Sequence, residues 1–409
     1  MNFSRCTAVL FGLAVLLISN ALESDVSGDD DGFRLTRVDG STVESSDVSV
    51  DSQGRVTGAF EDGSLPIDEL VLFESIGAES IDSPSNAGGP KLYFVAGGLI
   101  DLAAPVIDGG RLSFDSTSNV TSAPLESVRA IVWESSGVVT QLIENPSVDN
   151  DAVVVRQGDQ LRGVEGVVEG LTDQHVTLRF KGKSRKIGLG KVAAIVMADL
   201  QLEMPKDRAS VNVVLVRGGS IRGRLNRWID SQIFLAVGGD SEIAVPEASI
   251  ARMTIDNERL VYLSDLEPVA VQQRAMFTTE RPWRRDLSVE GNLLTIYDPQ
   301  QRKKTTFNKG IGTHSWSSLV FANERSLDRF IAMVGIDSET MGRGDCRMIV
   351  RGDGIELWSG RVTGTSGPLA VDVSVRGIDN VELEVVPGEE FDLADHANWC
   401  DARFIKSKQ

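Results

Sequence analysis

The sequence predicts an all-β chain: tandem small β-barrel-like repeats followed by a C-terminal β-sandwich. Three observations carry that reading. Glycine reaches 40 residues, aromatic residues are only 6%, and β-branched residues recur in short runs, a balance that favours many short strands and turns. A block of apolar run, glycine turn and second apolar run returns at nearly constant spacing. Near residue 259 that pattern stops and two-residue alternation takes over.

Taken in order, residues 1–21 read as a signal peptide. Arg5 supplies the positive region, Ala8 to Ile18 the apolar region, and Ser19-Asn20-Ala21 the small residues before a cut. The apolar run is shorter than the ~20 residues a spanning helix needs, so no integral membrane span is expected after cleavage. The expected location is outside the cytoplasm: periplasmic, cell-surface or extracellular. Residues 22–32, with Asp29-Asp30-Asp31, form an acidic linker without apolar periodicity.

Four β repeats follow, at 33–82, 91–143, 152–203 and 211–258. Their matching glycines are Gly40, Gly98, Gly158 and Gly219, in steps of 58, 60 and 61 residues. Each unit closes with an apolar stretch around a small or acidic turn, as in "LPIDELVLFE" and "IAVPEASIARMTID". The expected module has about five short strands and looks like an SH3-type or Sm-type barrel, an architecture that carries no function by itself.

Charge narrows the partners. With 59 acidic against 41 basic residues and a net charge of −18, the chain repels phosphate backbones, and nucleic acid is not an expected partner. The basic stretch "RFKGKSRK", Arg179 to Lys186, aligns with turn sequences in the other units and reads as a solvated hairpin.

The last domain spans 259–406 and gathers Trp283, Trp316, Trp358 and Trp399. Within "LAVDVSVRG", Leu369, Val371, Val373 and Val375 share one face. Val381, Leu383 and Val385 do the same after the "GIDN" turn, which predicts an antiparallel pair. "RMIVRGDGIELWSG" predicts a second hairpin around Asp353-Gly354.

Five ordered motifs, "YLSDLEPV", "KGIGTHSWSSLVF", "LDRFIAMVGIDSE", "VRGDGIELWSG" and "DLADHANWCDARF", resemble the NPCBM family of carbohydrate-binding modules first noted beside family 98 glycoside hydrolases. The resemblance covers about Arg259 to Ile405. It implies a galactose-binding-like jelly roll, glycan ligands that include galactose-containing ones, and a structural calcium ion. Cys400, between Trp399 and Asp401, departs from the small residue common in the family.

A sugar needs a flat apolar platform and a few directed donors and acceptors. His314 and Trp316 lie before one strand, and Asp395, His396, Asn398 and Trp399 before the last, so the two clusters are candidates for one carbohydrate-binding rim. For both tryptophans core packing is the competing role, and for His314 a hydrogen-bonded structural one. Asp337, Glu339, Asp395 and Asp401 are the oxygen-bearing candidates for calcium. Zinc lacks close ligand pairs.

No catalytic residue is expected. Ser315 and Ser317 lie near His314 in sequence without a nucleophile elbow, and no spacing singles out a carboxylate pair. Cys346 and Cys400 are a disulfide candidate in an oxidising compartment, with two buried free thiols as the alternative. The expected function is therefore non-catalytic glycan binding. A structural or protein-interaction role in the cell envelope is the competing class, and a hydrolase would require a catalytic unit in the repeats.

Overall fold

The computed structural model describes residues 32–77, 89–275, 281–324, 327–389 and 391–406, so the expected signal peptide and nearly all of the expected acidic linker lie outside the described residues. The described chain is all-β with one short α-helix, Gly137–Glu144. No described helix is long and apolar enough to cross a membrane.

Four units share one strand plan. In each, the first strand pairs with both the second and the last: Gly32–Arg37 with Thr42–Ser45 and Leu70–Ile76, and Lys91–Phe94 with Gly98–Asp101 and Val128–Val132. Asp151–Gln157 likewise pairs with Gln160–Leu171 and Val192–Val196, and Ser210–Leu215 with Ser220–Ile229 and Ile250–Asp256. A single 3-10 turn precedes each closing strand, at Ile67–Glu69, Leu125–Ser127, Leu189–Lys191 and Glu247–Ser249. Alternation explains the strands. In Ser210–Leu215 the residues Val211, Val213 and Leu215 are buried and their neighbours are not.

The units are not separate beads. One sheet of 22 strands runs through all four, because closing strands pair between units: Leu70–Ile76 with Ile250–Asp256, and Val128–Val132 with Val192–Val196. Units 2 and 4 meet where Gly98 and Leu99 pair with Ile221 and Ser220. The repeat glycines make that approach possible. Gly98 sits at φ +93 and Gly219 at φ +90; a Cβ on Gly98 would lie 2.3 Å from the Ser220 carbonyl oxygen, and one on Gly219 2.6 Å from that of Leu99.

Residues 260–405 form a two-sheet sandwich. One sheet runs Arg284–Arg285, Gly310–His314, His396–Ile405, Arg329–Ile336 and Leu369–Ser374, with Leu260–Tyr262 paired to His396–Ile405. The facing sheet runs Ala270–Gln273, Ser317–Ala322, Asn380–Pro387, Asp345–Gly352 and Ile355–Thr363. Leu319, Phe321, Met348 and Leu383 from one side and Phe330, Val334, Trp399 and Phe404 from the other fill the core.

The hairpin at Asp353-Gly354 is present, with both turn residues at positive φ. The other expected pair is not a pair. Leu369–Ser374 pairs with Arg329–Ile336, whereas Asn380–Pro387 lies in the opposite sheet. The "GIDN" segment therefore crosses between sheets, and the two apolar faces meet across the core. Alternation shows that a face is buried, not which strand lies beside it.

The last strand carries a bulge. Asp401 adopts φ 55, and Met333 and Ile331 pair with Cys400 and Arg403, so one extra residue is accommodated. Ala397 and Trp399 face the core before the bulge, and Ala402 and Phe404 after it.

The sandwich is clamped to unit 1. Val38, Val71 and Ile405 form a buried cluster with Leu260 and Ile331 against it. Arg259 Nη1 pairs with Glu69 Oε1 at 2.8 Å, and Asn257 Nδ2 donates to the Asp68 carbonyl at 2.7 Å. Arg403, with its side chain 4% exposed, donates to Asp401 Oδ2 at 2.7 Å and places Nη2 where a Cβ on Gly40 would fall, 2.3 Å away.

Candidate functional site

His314 and His396 are directly opposite each other where Gly310–His314 pairs with His396–Ile405, and their ring centroids are 5.7 Å apart. The fold thus brings the two sequence-distant clusters together at one end of the sandwich. His396 is the better positioned of the two rings. Its Nδ1 donates to Glu339 Oε1 at 2.8 Å, and because a carboxylate accepts only, the proton must sit on Nδ1. Glu339 is held in turn by Ser288 Oγ at 2.7 Å and Asn292 Nδ2 at 2.9 Å. Nε2 of His396 then faces the half-exposed Glu290 carboxylate at 3.8 Å.

Glu290 accepts from Arg281 Nε at 2.7 Å, and that bond holds its carboxyl below the ordinary carboxylate value. His314 is 3% exposed, and burial, assisted by the neighbouring His396, pushes its pKa down. The Asp395 carboxyl is pushed up to about 6 by burial, against the Asp345 amide that donates to Oδ1 at 2.8 Å.

Trp316 follows two residues later at the crossing between sheets, half-buried, with φ 62. Positive φ is uncommon for so bulky a residue. Its amide donates to the Val385 carbonyl at 2.9 Å, and the Arg274 guanidinium lies 4.1 Å over the ring. Together with Gln273, Ser318 and Glu384 they line an open cleft. Gln273 ties that cleft to the histidine rim, donating to the Arg281 carbonyl at 3.2 Å and accepting from the Trp283 amide at 3.1 Å.

Most of the expected sugar-contacting residues lie inside. Trp399 is fully buried, with its ring 6.5 Å from that of Phe330, so it is a core residue without surface to offer. Asn398 is 1% exposed and donates to Asp337 Oδ2 at 2.5 Å, and Asp395 has no exposed surface. His396 and Trp316 remain at the rim, whereas His314, 3% exposed, is buried beside His396. Arg274, Arg281 and Glu290 join them there. Arg281 and Glu290 belong to a stretch, "RPWRRDLSVEGN", whose charges gave no directional signal because loop residues obey no periodicity.

The calcium candidates do not fit a calcium site. Asp337 accepts from the Glu339 and Thr295 amides and from Asn398, and Glu339 from three donors, so their oxygens already face hydrogens. Asp401 is separate and pairs with Arg403. Among the described residues no group of three or more histidine, cysteine or acidic side chains is arranged to hold a metal.

Cys346 and Cys400 are both free and buried. Cys346 faces the main core, whereas Cys400 faces Leu294 and Ile296 on the other side of its sheet. Adjacent residues of a strand point to opposite faces, and Trp399 occupies the core-facing position. The disulfide expectation is corrected accordingly.

Residues 259–405 match the family model described as NPCBM/NEW2 domain. Among curated proteins, one named "Putative endo-alpha-N-acetylgalactosaminidase" from Renibacterium salmoninarum is 23% identical over 168 residues, which are 41% of this chain and 11% of that protein. The chain therefore spans about a tenth of that relative's length. Among solved structures, a CBM51 from Clostridium perfringens GH95 in complex with methyl-galactose is 28% identical, with a TM-score of 0.33 over 36% of this chain and 99% of its own. The tandem CBM51 modules of a Streptococcus pneumoniae family 98 glycoside hydrolase are 15% identical, with a TM-score of 0.32 over 92% of this chain and 88% of theirs.

Proposed function

Given an NPCBM/NEW2 domain over residues 259–405, we propose that the protein is an exported, non-catalytic glycan-binding protein whose repeats act as small barrel-like scaffolds presenting a galactose-binding-like jelly roll. The observation that carries this reading is the His396 rim. A sugar hydroxyl is both donor and acceptor, and the rim sets an acceptor nitrogen, a carboxylate and a guanidinium side by side: His396 Nε2, Glu290 and Arg281. Glu339 and its two donors fix the imidazole before any ligand arrives, which lowers the ordering cost of binding. The family resemblance favours galactose-containing glycans.

One observation favours the competing reading, a protein-interaction role. The Trp316 face is already covered by Arg274 at 4.1 Å, so a sugar must displace that guanidinium or use the other face. A glycan array with the full mature chain, followed by calorimetry on the best ligand, separates the two. Binding that His396→Ala abolishes supports the glycan reading. An array without any hit, or a hit that His396→Ala leaves intact, overturns it.

A further inference from the structure

Residues 174–198 contain six cations and no carboxylate: Arg179, Lys181, Lys183, Arg185, Lys186 and Lys191. In a chain of net charge −18 this is a local reversal of sign. All six are exposed. They lie on and beside the strand Lys183–Gly188, which pairs on one side only, with His175–Phe180. Among the described residues no second strand is in register with its other edge, since Val192–Val196 pairs with Val128–Val132 and Asp151–Gln157. The corresponding strand of unit 4, Ser241–Pro246, instead packs near Ser122–Pro124 of unit 2. Of the six cations, Arg179 faces a carboxylate, Glu169, at 3.5 Å. The unit 3 edge thus differs in both charge and cover from its equivalents in units 2 and 4, which pack near each other.

We propose that this basic edge is a second binding site, for an anionic polysaccharide bearing uronate or sulfate groups. Two features select that class. Lys183 and Arg185 project to the same side, about 6.6–6.8 Å apart at the strand repeat, with Lys186 to the other, so the charges are spread thinly along a line. The uncovered edge also presents unpaired backbone N–H and C=O groups, which match the hydroxyls between the anionic groups of a polysaccharide. Duplex DNA is a poorer match. It carries a charge about every 1.7 Å along its axis, and most of that charge would face an acidic protein.

The test uses the full mature chain and four probes: polygalacturonate, dextran sulfate, a DNA duplex and phosphatidylglycerol vesicles, each titrated at rising NaCl. The expected result is binding to at least one polysaccharide, weakened at least about tenfold by Lys183→Glu/Arg185→Glu/Lys186→Glu. The same charge change elsewhere, Lys206→Glu/Lys303→Glu/Lys304→Glu, and His396→Ala should leave that binding in place. All of these residues except His396 are exposed, so an unchanged thermal transition confirms that both triple variants fold. No polysaccharide binding, equal loss in the control triple, loss with His396→Ala, or tighter binding to DNA or vesicles would each overturn the proposal.

Discussion

The Nδ1–H of His396 donates to Glu339 Oε1 at 2.8 Å, which leaves the opposite ring nitrogen turned to Glu290 at 3.8 Å. Glu339→Gln keeps the size of the side chain but puts an amide donor among three donors. Glycan affinity is expected to fall about tenfold, about 1.4 kcal/mol, as the ring loses its fixed tautomer. Calorimetry checks this; wild-type affinity in Glu339→Gln would mean that the ring orientation has no part in binding.

The two tryptophans should separate cleanly. Trp399 is fully buried, and Trp399→Ala is expected to cost about 3–5 kcal/mol of stability, seen as a lower denaturant midpoint. Trp316→Ala removes a half-buried ring at a left-handed position, so stability should change by about 1 kcal/mol or less while glycan affinity drops.

The contrast between these residues shows how far the sequence was legible. Strand existence, the four-unit period and the burial of faces such as Val371 and Val381 follow from two-residue alternation and turn chemistry. Which strands pair does not, because Val371 and Val381 look alike whether they are neighbours or face each other across a core. The bulge at Asp401 was equally hidden. An Asp tolerates positive φ, yet nothing in "WCDARF" requires it. The site followed the same division. His314 meeting His396 was foreseeable from strand ends, whereas Arg281 and Glu290 depend on a loop path.

Asp395 should shape the pH dependence of stability. Folding raises its pKa from 3.8 to about 6, so the native state holds the proton more tightly than the unfolded chain. Its contribution is greatest at low pH and is lost as pH rises from about 4 through about 6, corresponding to about 3 kcal/mol. Asp395→Asn should flatten that decline in urea melts taken across the range. His314 acts in the opposite sense. Its depressed pKa removes stability as pH falls below the ordinary 6.5, and this limb should persist in Asp395→Asn.

Burial raises the pKa of Cys346 and Cys400 well above the ordinary thiol value, and each faces a different apolar cluster. Alkylation of the native protein is expected to be slow, with two thiols titrating after unfolding. A Cys346–Cys400 linked peptide in non-reducing mass analysis would contradict the strand orientation described above.

Alanine at the repeat glycines should give a graded series. Gly158, at φ +60, has open space around it, so Gly158→Ala costs only the left-handed backbone, about 1–2 kcal/mol. Gly40→Ala adds a collision with the buried Arg403, and Gly98→Ala a collision with the Ser220 carbonyl, so both should cost more. Denaturant melts of the three variants check the order.

The pairing of Leu70–Ile76 with Ile250–Asp256 has a consequence for how the chain acquires its structure. Backbone pairing joins unit 1 to unit 4, unit 4 to unit 2 and unit 2 to unit 3, an order in space that is not the order of synthesis. The closing strand of unit 1 leaves the ribosome long before its partner exists and must wait with an open edge. Such non-local pairings carry a loop-closure cost before they gain stability, and they slow folding at a given size. Despite its repeats the array should therefore refold as a slow cooperative whole, with unit 1 the segment most exposed to mispairing until residue 256 has emerged.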